Sequence, residues 1–127
     1  MRRACIVGVA AGIVALLSTT PAPVTSAPLA PLVVNWQRSF TIDSQVTQRD
    51  GRALVTGTLL NTSSCGAQRI QILIDALDAG GHFVDQRIVW LGTDLTPSSH
   101  AYFEAPAVQT AASHRVSVFA FESRKRC

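Results

Sequence analysis

Short runs of alternating apolar and polar residues, separated by turn signals, constrain the fold of this 127-residue chain more than any other feature of its sequence. In one run, Ile70, Ile72 and Ile74 recur at spacing two, which places them on one face of a strand. Between two other runs, Asp50-Gly51 is a strong signal for a two-residue hairpin turn. The pattern predicts six strands, near residues 36–46, 52–60, 70–78, 83–91, 101–105 and 115–122.

The connections between the predicted strands are short, which is typical of antiparallel sheets. Several runs carry apolar residues on both faces, and this favours two sheets packed face to face over a single meander with one face in solvent. Alternation predicts that Asp75, opposite Ile74 in its strand, faces solvent. In the last strand it predicts that Phe121 lies on the face opposite Val118. We therefore expect an all-β fold, a small antiparallel β-sandwich.

The N-terminal segment has the composition of a secretory signal peptide. Arg2 and Arg3 give a basic start, residues 4–17 are apolar and carry no charge, and residues 18–31 are rich in proline and small residues. The apolar stretch is shorter than the ~20 residues that a membrane-spanning helix needs. A signal peptide is the interpretation we favour, and an uncleaved anchor is the alternative.

This signal divides the chain into two parts. We expect residues 1–30 to be a signal peptide and leader, and residues 31–127 to form a single β-sandwich domain. The protein is then periplasmic or secreted. It meets a membrane only if the N-terminal segment is left uncleaved.

Two cysteines, Cys65 and Cys127, remain once the leader with Cys5 is set aside. In an oxidising compartment such a pair predicts a disulfide. If successive strands run antiparallel, the loop after the second strand and the end of the sixth lie at the same end of the domain, which brings the two cysteines together. The alternatives are a reactive thiol or a metal pair, although a structural zinc site has four ligands.

Residues 55–63, Val-Thr-Gly-Thr-Leu-Leu-Asn-Thr-Ser, resemble the V-x-G-x-V-x-N-x-S stretch of FxLYD-type domains. Asp78 and Gly81 stand where that family has an aspartate-glycine hairpin, and Phe103 lies in its aromatic strand. The resemblance covers about residues 34–122, without the Phe-x-Leu-Tyr-Asp signature itself. It implies a small antiparallel immunoglobulin-like β-sandwich of about six to seven strands, found in exported or membrane-anchored bacterial proteins. It also implies an accessory or interaction role and offers no catalytic residues.

The polar residues of the chain form no recognised catalytic or metal-binding pattern. His82, His100 and His114 show neither H-x-H nor H-E-x-x-H spacing, and no G-x-S-x-G elbow is present. We interpret His82 as an exposed turn residue. The alternative is that His82 and Asp85 form half of a metal site. Asn61-Thr-Ser is a formal glycosylation sequon, which we interpret as a turn. We expect no enzymatic activity, no cofactor and no bound metal.

The candidate interaction residues are two tryptophans and a basic tail: Trp36, Trp90, Arg124, Lys125 and Arg126. The net charge of +3 comes mainly from the two ends of the chain, so we predict no nucleic-acid binding. The tail could touch an anionic surface, and a solvated end is the interpretation we favour. The tryptophans are expected in or beside the core, whereas an exposed one would be a candidate contact hot spot.

Two classes of function remain for such a domain. The first is a protein-interaction module, whose partner is another envelope or secreted protein. The second is a small-ligand or carbohydrate-binding module that uses a sheet face. An apolar patch around one tryptophan, or an uncovered edge strand, would favour the first. A pocket with an aromatic side chain and convergent polar groups would favour the second.

Overall fold

The structure is a computed structural model that describes residues 27–124. Two antiparallel sheets of three strands each pack together: sheet A has the order β1-β2-β5 and sheet B the order β4-β3-β6. The prediction of a small antiparallel β-sandwich is confirmed. The strands are β1 (Phe40–Arg49), β2 (Arg52–Asn61), β3 (Ala67–Leu77), β4 (Phe83–Trp90), β5 (His100–Pro106) and β6 (Ser113–Ser123).

The strand order is that of an immunoglobulin fold with fewer strands. In that fold, strands A, B and E share one sheet, and strands C′, C and F share the other. Here β1, β2 and β5 take the first three places, while β4, β3 and β6 take the other three. No further strand lies within residues 27–124, so the places of strands D and G are not filled there.

The hairpin between β1 and β2 has the predicted turn. Asp50 and Gly51 both have positive φ, 52° and 74°, as a type I′ turn requires. The start of β1 differs from the predicted one. Trp36–Arg38 forms a short 3-10 helix, closed by the Ser39 N–H on the Trp36 carbonyl at 2.9 Å, and the strand begins only at Phe40.

The core lies between the two sheets and is built from alternate strand residues. Ile70, Ile72 and Ile74 of β3 are buried on one face, as the spacing predicts. Phe40 of β1 meets Phe121 of β6 edge to face, with ring centroids 4.8 Å apart. Aromatic pairs of this geometry contribute about 0.5–1.5 kcal/mol beyond their buried area. The other buried members include Val55, Leu59, Leu95, Phe103, Ala105 and Val118.

The predicted position of Phe121 is wrong. The ladder between β3 and β6 skips one residue of β6, Phe119, because Gln71 and Ile72 pair with residues two apart. Such a bulge inverts the alternation of the strand beyond it. Phe121 therefore joins Val118 on the core side instead of lying on the opposite face.

Gly57 of β2 lies where two elements approach it closely. A Cβ atom at this position would be 2.4 Å from the Asp43 carbonyl oxygen and 2.7 Å from the Phe103 Cζ. Phe103 is the cross-strand partner of Gly57, so its ring occupies the space that a side chain would fill. The glycine of the predicted strand is therefore a packing requirement.

The side chain of Asn61 holds the connection between the sheets. Its Nδ2 donates to the carbonyls of Cys65 at 2.8 Å and Leu95 at 3.0 Å. Its Oδ1 accepts from the N–H of Ser63 at 3.0 Å and from its Oγ at 2.8 Å. All four hydrogen-bonding positions of a fully buried amide are thus used. Asn61, the first residue of the sequon, therefore stabilises the turn through its side chain.

Candidate functional site

An extended N-terminal segment crosses the outer face of sheet B. We call residues 28–32 the strap. The N–H of Leu32 donates to the Phe119 carbonyl at the edge of β6, at 2.8 Å. At the opposite edge of the same sheet, the main chain of Leu29 pairs with the Gln86 carboxamide of β4. The strap therefore passes over β3, which lies between these two strands.

The pairing of Leu29 with Gln86 works in both directions. The Leu29 N–H donates to Gln86 Oε1 at 2.8 Å, and Gln86 Nε2 donates to the Leu29 carbonyl at 2.9 Å. This is the pattern by which one strand residue recognises another across a ladder. A side chain of sheet B thus acts as a partner for a peptide backbone.

Asp75 fixes the orientation of Gln86, and its predicted exposure to solvent is wrong. The residue is only 2% exposed, on the outer face of sheet B. Asp75 Oδ1 accepts from Gln86 Nε2 at 2.7 Å. Its Oδ2 accepts from Arg115 Nε at 3.2 Å and Nη2 at 2.9 Å. A buried carboxylate needs such partners, because an unpaired buried charge is costly.

A groove of about 690 Å³ opens beside the strap. Its walls are mostly apolar, and the Arg115–Asp75 ion pair lies in its floor. The Arg115 guanidinium carbon lies 5.6 Å from the centre of the Phe83 ring, within range of a cation–π contact. Arg115 has five N–H donors, and Asp75 takes two of them. The lining residues are Pro28, Leu29, Ala30, Pro31, Trp36, Gln37, Asp75, Phe83, Arg115, Val116 and Ser117.

The two tryptophans lie at different places on the domain. Trp36 is half-buried, packs against the core and lines the groove. Trp90 is 63% exposed at the far end of β4 from Phe83, paired with Gln71. Its neighbour Val89 packs against the core, so the indole of Trp90 lies on the outer face of sheet B.

The basic tail is separate from both tryptophans in the part that the structure describes. Arg124 forms an ion pair with Asp94, and its N–H donates to the Gly66 carbonyl at 2.9 Å. Lys125 and Arg126 lie outside the described residues. Among the predicted interaction residues that the structure describes, Trp36, Trp90 and Arg124 therefore do not form one surface.

The cysteine prediction falls partly outside the described region. Cys65 lies in the loop between β2 and β3, whereas Cys127 is not among the described residues. The end of β6 does reach this loop, because Ser123 pairs with Ala67 and Arg124 is bonded to Gly66. The pairing of the two cysteines stays a prediction. The loop that holds Cys65 and the end of β6 do lie at the same end of the domain, as that prediction requires.

His82, which the sequence analysis considered as half of a metal site, lies in the turn that Asp78 begins. The His82 imidazole is exposed, with Nδ1 3.4 Å from Asp78 Oδ1. The main-chain N–H of His82, together with that of Gly80, donates to this oxygen and lowers the pKa of the Asp78 carboxyl below its ordinary value. Within residues 27–124, no group of three or more histidine, cysteine or acidic side chains could hold a metal ion.

Sequence reasoning missed the strap and its receptor, Asp75, Gln86 and Arg115. The hydrogen bonds of the strap join residues 57 positions apart, and contacts of this range leave no local pattern. The one available signal was the spacing of Pro28 and Pro31, because a polyproline II segment repeats every three residues. That spacing stood inside a segment whose composition predicted a leader.

Comparisons with known proteins add little to this picture. No family model matches the chain, and no curated protein matches it. The crystal structure of a DUF1425 family member from Shewanella sp. pv-4 is 19% identical, with a TM-score of 0.49, and the match covers 69% of this chain and 79% of that one. The X-ray structure of Northeast Structural Genomics Consortium target SoR45 is 10% identical, with a TM-score of 0.44, and the match covers 69% of this chain and 87% of that one. The fold assignment rests on the strand order and register of the chain itself.

None of the helices within residues 27–124 has the length and apolar character that crossing a membrane requires.

Proposed function

We propose that this protein is an exported, non-catalytic accessory domain that mediates protein–protein interaction in the cell envelope. The observation that carries the proposal is the exposed Trp90 on the outer face of an edge strand. Tryptophan is enriched at the centres of protein interfaces, where a few side chains contribute most of the binding energy. Phe83 and Val84 of the same strand are also exposed large apolar residues.

The register of β4 indicates how a partner makes contact. Asp85 and Arg87 pair with Ala76 and Ile74, so these two charged residues stand at core-side positions of an edge strand. Charges at such positions discourage another strand from extending the sheet. The partner therefore binds to the side chains on the outer face, around Trp90, and does not extend sheet B beyond β4.

A crosslinking experiment tests this proposal. A photoreactive phenylalanine analogue replaces Trp90 in the native host, and the control places it at Tyr102, which is 56% exposed on the other sheet. We expect a discrete adduct with an exported protein from position 90 and none from position 102. The absence of an adduct at 90, or the same adducts from both positions, would contradict the proposal.

A small-ligand module is the second candidate, and the groove beside the strap favours it. Its volume lies in the range of about 300–1,000 Å³ that is usual for ligand pockets. Trp36 and Phe83 supply aromatic walls, and the exposed guanidinium of Arg115 supplies donors. Among its polar groups, however, the Asp75 carboxylate is already occupied by Gln86 and Arg115.

Export and the FxLYD-type relationship are parts of the proposal, and so is a disulfide between Cys65 and Cys127. The position of Arg124 against Gly66 supports the disulfide, because only two residues separate Arg124 from Cys127. We expect the protein purified from the envelope to resist alkylation at both residues until it is reduced, with a mass increase of about two hydrogen atoms on reduction. Matched alkylation of a Cys65→Ala/Cys127→Ser variant gives the background. Two reactive thiols in the unreduced protein would contradict the pairing.

A further inference from the structure

Gln86, at the centre of the receptor for the strap, forms hydrogen bonds with the main chain of the strap. The hydrogen bonds between Gln86 and the strap go to the main chain of Leu29, to its N–H at 2.8 Å and its carbonyl at 2.9 Å. A carboxamide bonded in this way accepts any residue that presents an extended backbone, with the exception of proline, which lacks the N–H. The residue at this position can therefore vary, while the backbone geometry cannot.

This receptor is held in place without help from the strap. Asp75 and Arg115 lie on β3 and β6, and the Asp75 carboxylate binds Gln86 Nε2 at 2.7 Å. The carboxylate in turn takes two donors from Arg115. The side chain of Gln86 is thus oriented by the sheet, ready for a backbone that arrives from another source.

The strap itself shows the chemistry of the segment that fits. Pro28 and Pro31 flank the paired residue at a spacing of three, the period of a polyproline II segment. Segments of this kind dock in grooves lined by aromatic side chains. Trp36 and Phe83 line the groove that runs along the strap.

The strap does not use the whole groove. Leu29 is 48% exposed and Leu32 is 68% exposed, so the strap buries few of its own apolar atoms. Its position is favoured by its covalent link, which gives the segment a high local concentration. A segment whose side chains fill the open groove can make contacts that the strap lacks.

We propose that the groove on sheet B binds an extended, proline-containing segment of a partner protein, which takes the place of the strap at Gln86. This inference rests on the proposed function and names the chemistry of the partner. The strap then occupies the groove when no partner is bound, and a partner segment has to bind tightly enough to displace it.

A peptide titration of the full-length chain tests the inference. The peptide Ala-Pro-Leu-Ala-Pro-Leu is added while NMR follows the Trp36 indole N–H and the Gln86 side-chain amide. We expect saturable shifts in a Pro28→Gly/Pro31→Gly variant, whose strap competes less well, and at least tenfold weaker binding to the unsubstituted chain. Adding Gln86→Ala to the variant weakens binding at least tenfold, as followed by Trp36. The matched control, Gln71→Ala on the same strand as Asp75, leaves the affinity unchanged.

Three outcomes overturn the inference: no saturable shift, equal binding of Ala-Gly-Leu-Ala-Gly-Leu, or binding that does not depend on Gln86. The crosslinks from position 90 separate this inference from the proposed function. If peptide binding fails while those crosslinks persist, the groove is not the partner site, and the interaction role stands. If neither peptide binding nor crosslinks from position 90 are observed, both this inference and the proposed interaction role are wrong.

Discussion

Replacement of Asn61 by alanine is expected to lower the free energy of unfolding by about 4 kcal/mol, because the buried amide makes four hydrogen bonds of about 1 kcal/mol each. The loss removes the tie between the turn after β2 and the Leu95 carbonyl, which belongs to the crossing between the sheets. Folded domains are stable by only about 5–15 kcal/mol, so the change is large. Urea unfolding of the purified variant, followed by circular dichroism, measures it.

Two neighbouring substitutions make the Asn61 experiment specific. Thr62 is exposed, and Thr62→Ala is expected to change stability by no more than about 0.5 kcal/mol. Ser63→Ala removes the hydroxyl that donates to Asn61 and is expected to cost about 1 kcal/mol. A loss of less than 1 kcal/mol for Asn61→Ala would show that the amide does not lock the turn.

The second large effect is expected at Gly57. Gly57→Ala places a methyl group 2.4 Å from the Asp43 carbonyl oxygen and 2.7 Å from the Phe103 ring, and no rotamer can remove a Cβ. Overpacking of a well-packed core usually costs about 1–3 kcal/mol. We expect about 3 kcal/mol, at the upper end of that range, because one of the two contacts is with the backbone of β1. The same unfolding measurement reports the loss.

The control for Gly57 is another glycine of the same domain. Gly92 has open space around the position of a Cβ and no positive φ, so Gly92→Ala is expected to be neutral or stabilising by up to about 1 kcal/mol. Combining Gly57→Ala with Phe103→Leu relieves only the contact with the ring. The double variant should therefore stay less stable than Phe103→Leu alone. Equal stability would mean that the Asp43 carbonyl imposes no constraint.

The architecture could be predicted because its signals are local. The alternation of Ile70, Ile72 and Ile74 identifies a face of β3, and Asp50-Gly51 identifies a hairpin with two positive φ values. Each signal depends on residues that are neighbours in sequence. Six such runs with short connections leave few ways to pack other than two antiparallel sheets.

The errors arose where distant residues decide the outcome. Phe121 turned inward because the ladder with β3 skips Phe119, and no local pattern marks the site of that bulge. Asp75 is buried, and its carboxylate is bonded to Gln86 of β4 and Arg115 of β6, two residues from other strands. The periodicity of a strand shows which residues share a face, and it does not show what covers that face.

The candidate site was the least predictable part for the same reason. Gln86 and Arg115 are ordinary polar residues of alternating strands, and only the folded sheet places both beside the carboxylate of Asp75. The exposure of Trp90 depends on its position in an edge strand, which is a property of sheet order. Sequence reasoning named Trp90 as a candidate contact but expected it in or beside the core, and that expectation is wrong, because Trp90 is 63% exposed.

The buried amide of Asn61 has a consequence for the host in which the protein can be produced. Oligosaccharide transfer in a eukaryotic secretory pathway would attach a sugar to Nδ2, the atom that donates to Cys65 and Leu95. A glycan at that atom cannot fit where the amide is fully buried. In such a host, modification of the nascent chain and completion of the domain exclude each other, and the yield of folded protein depends on which event comes first.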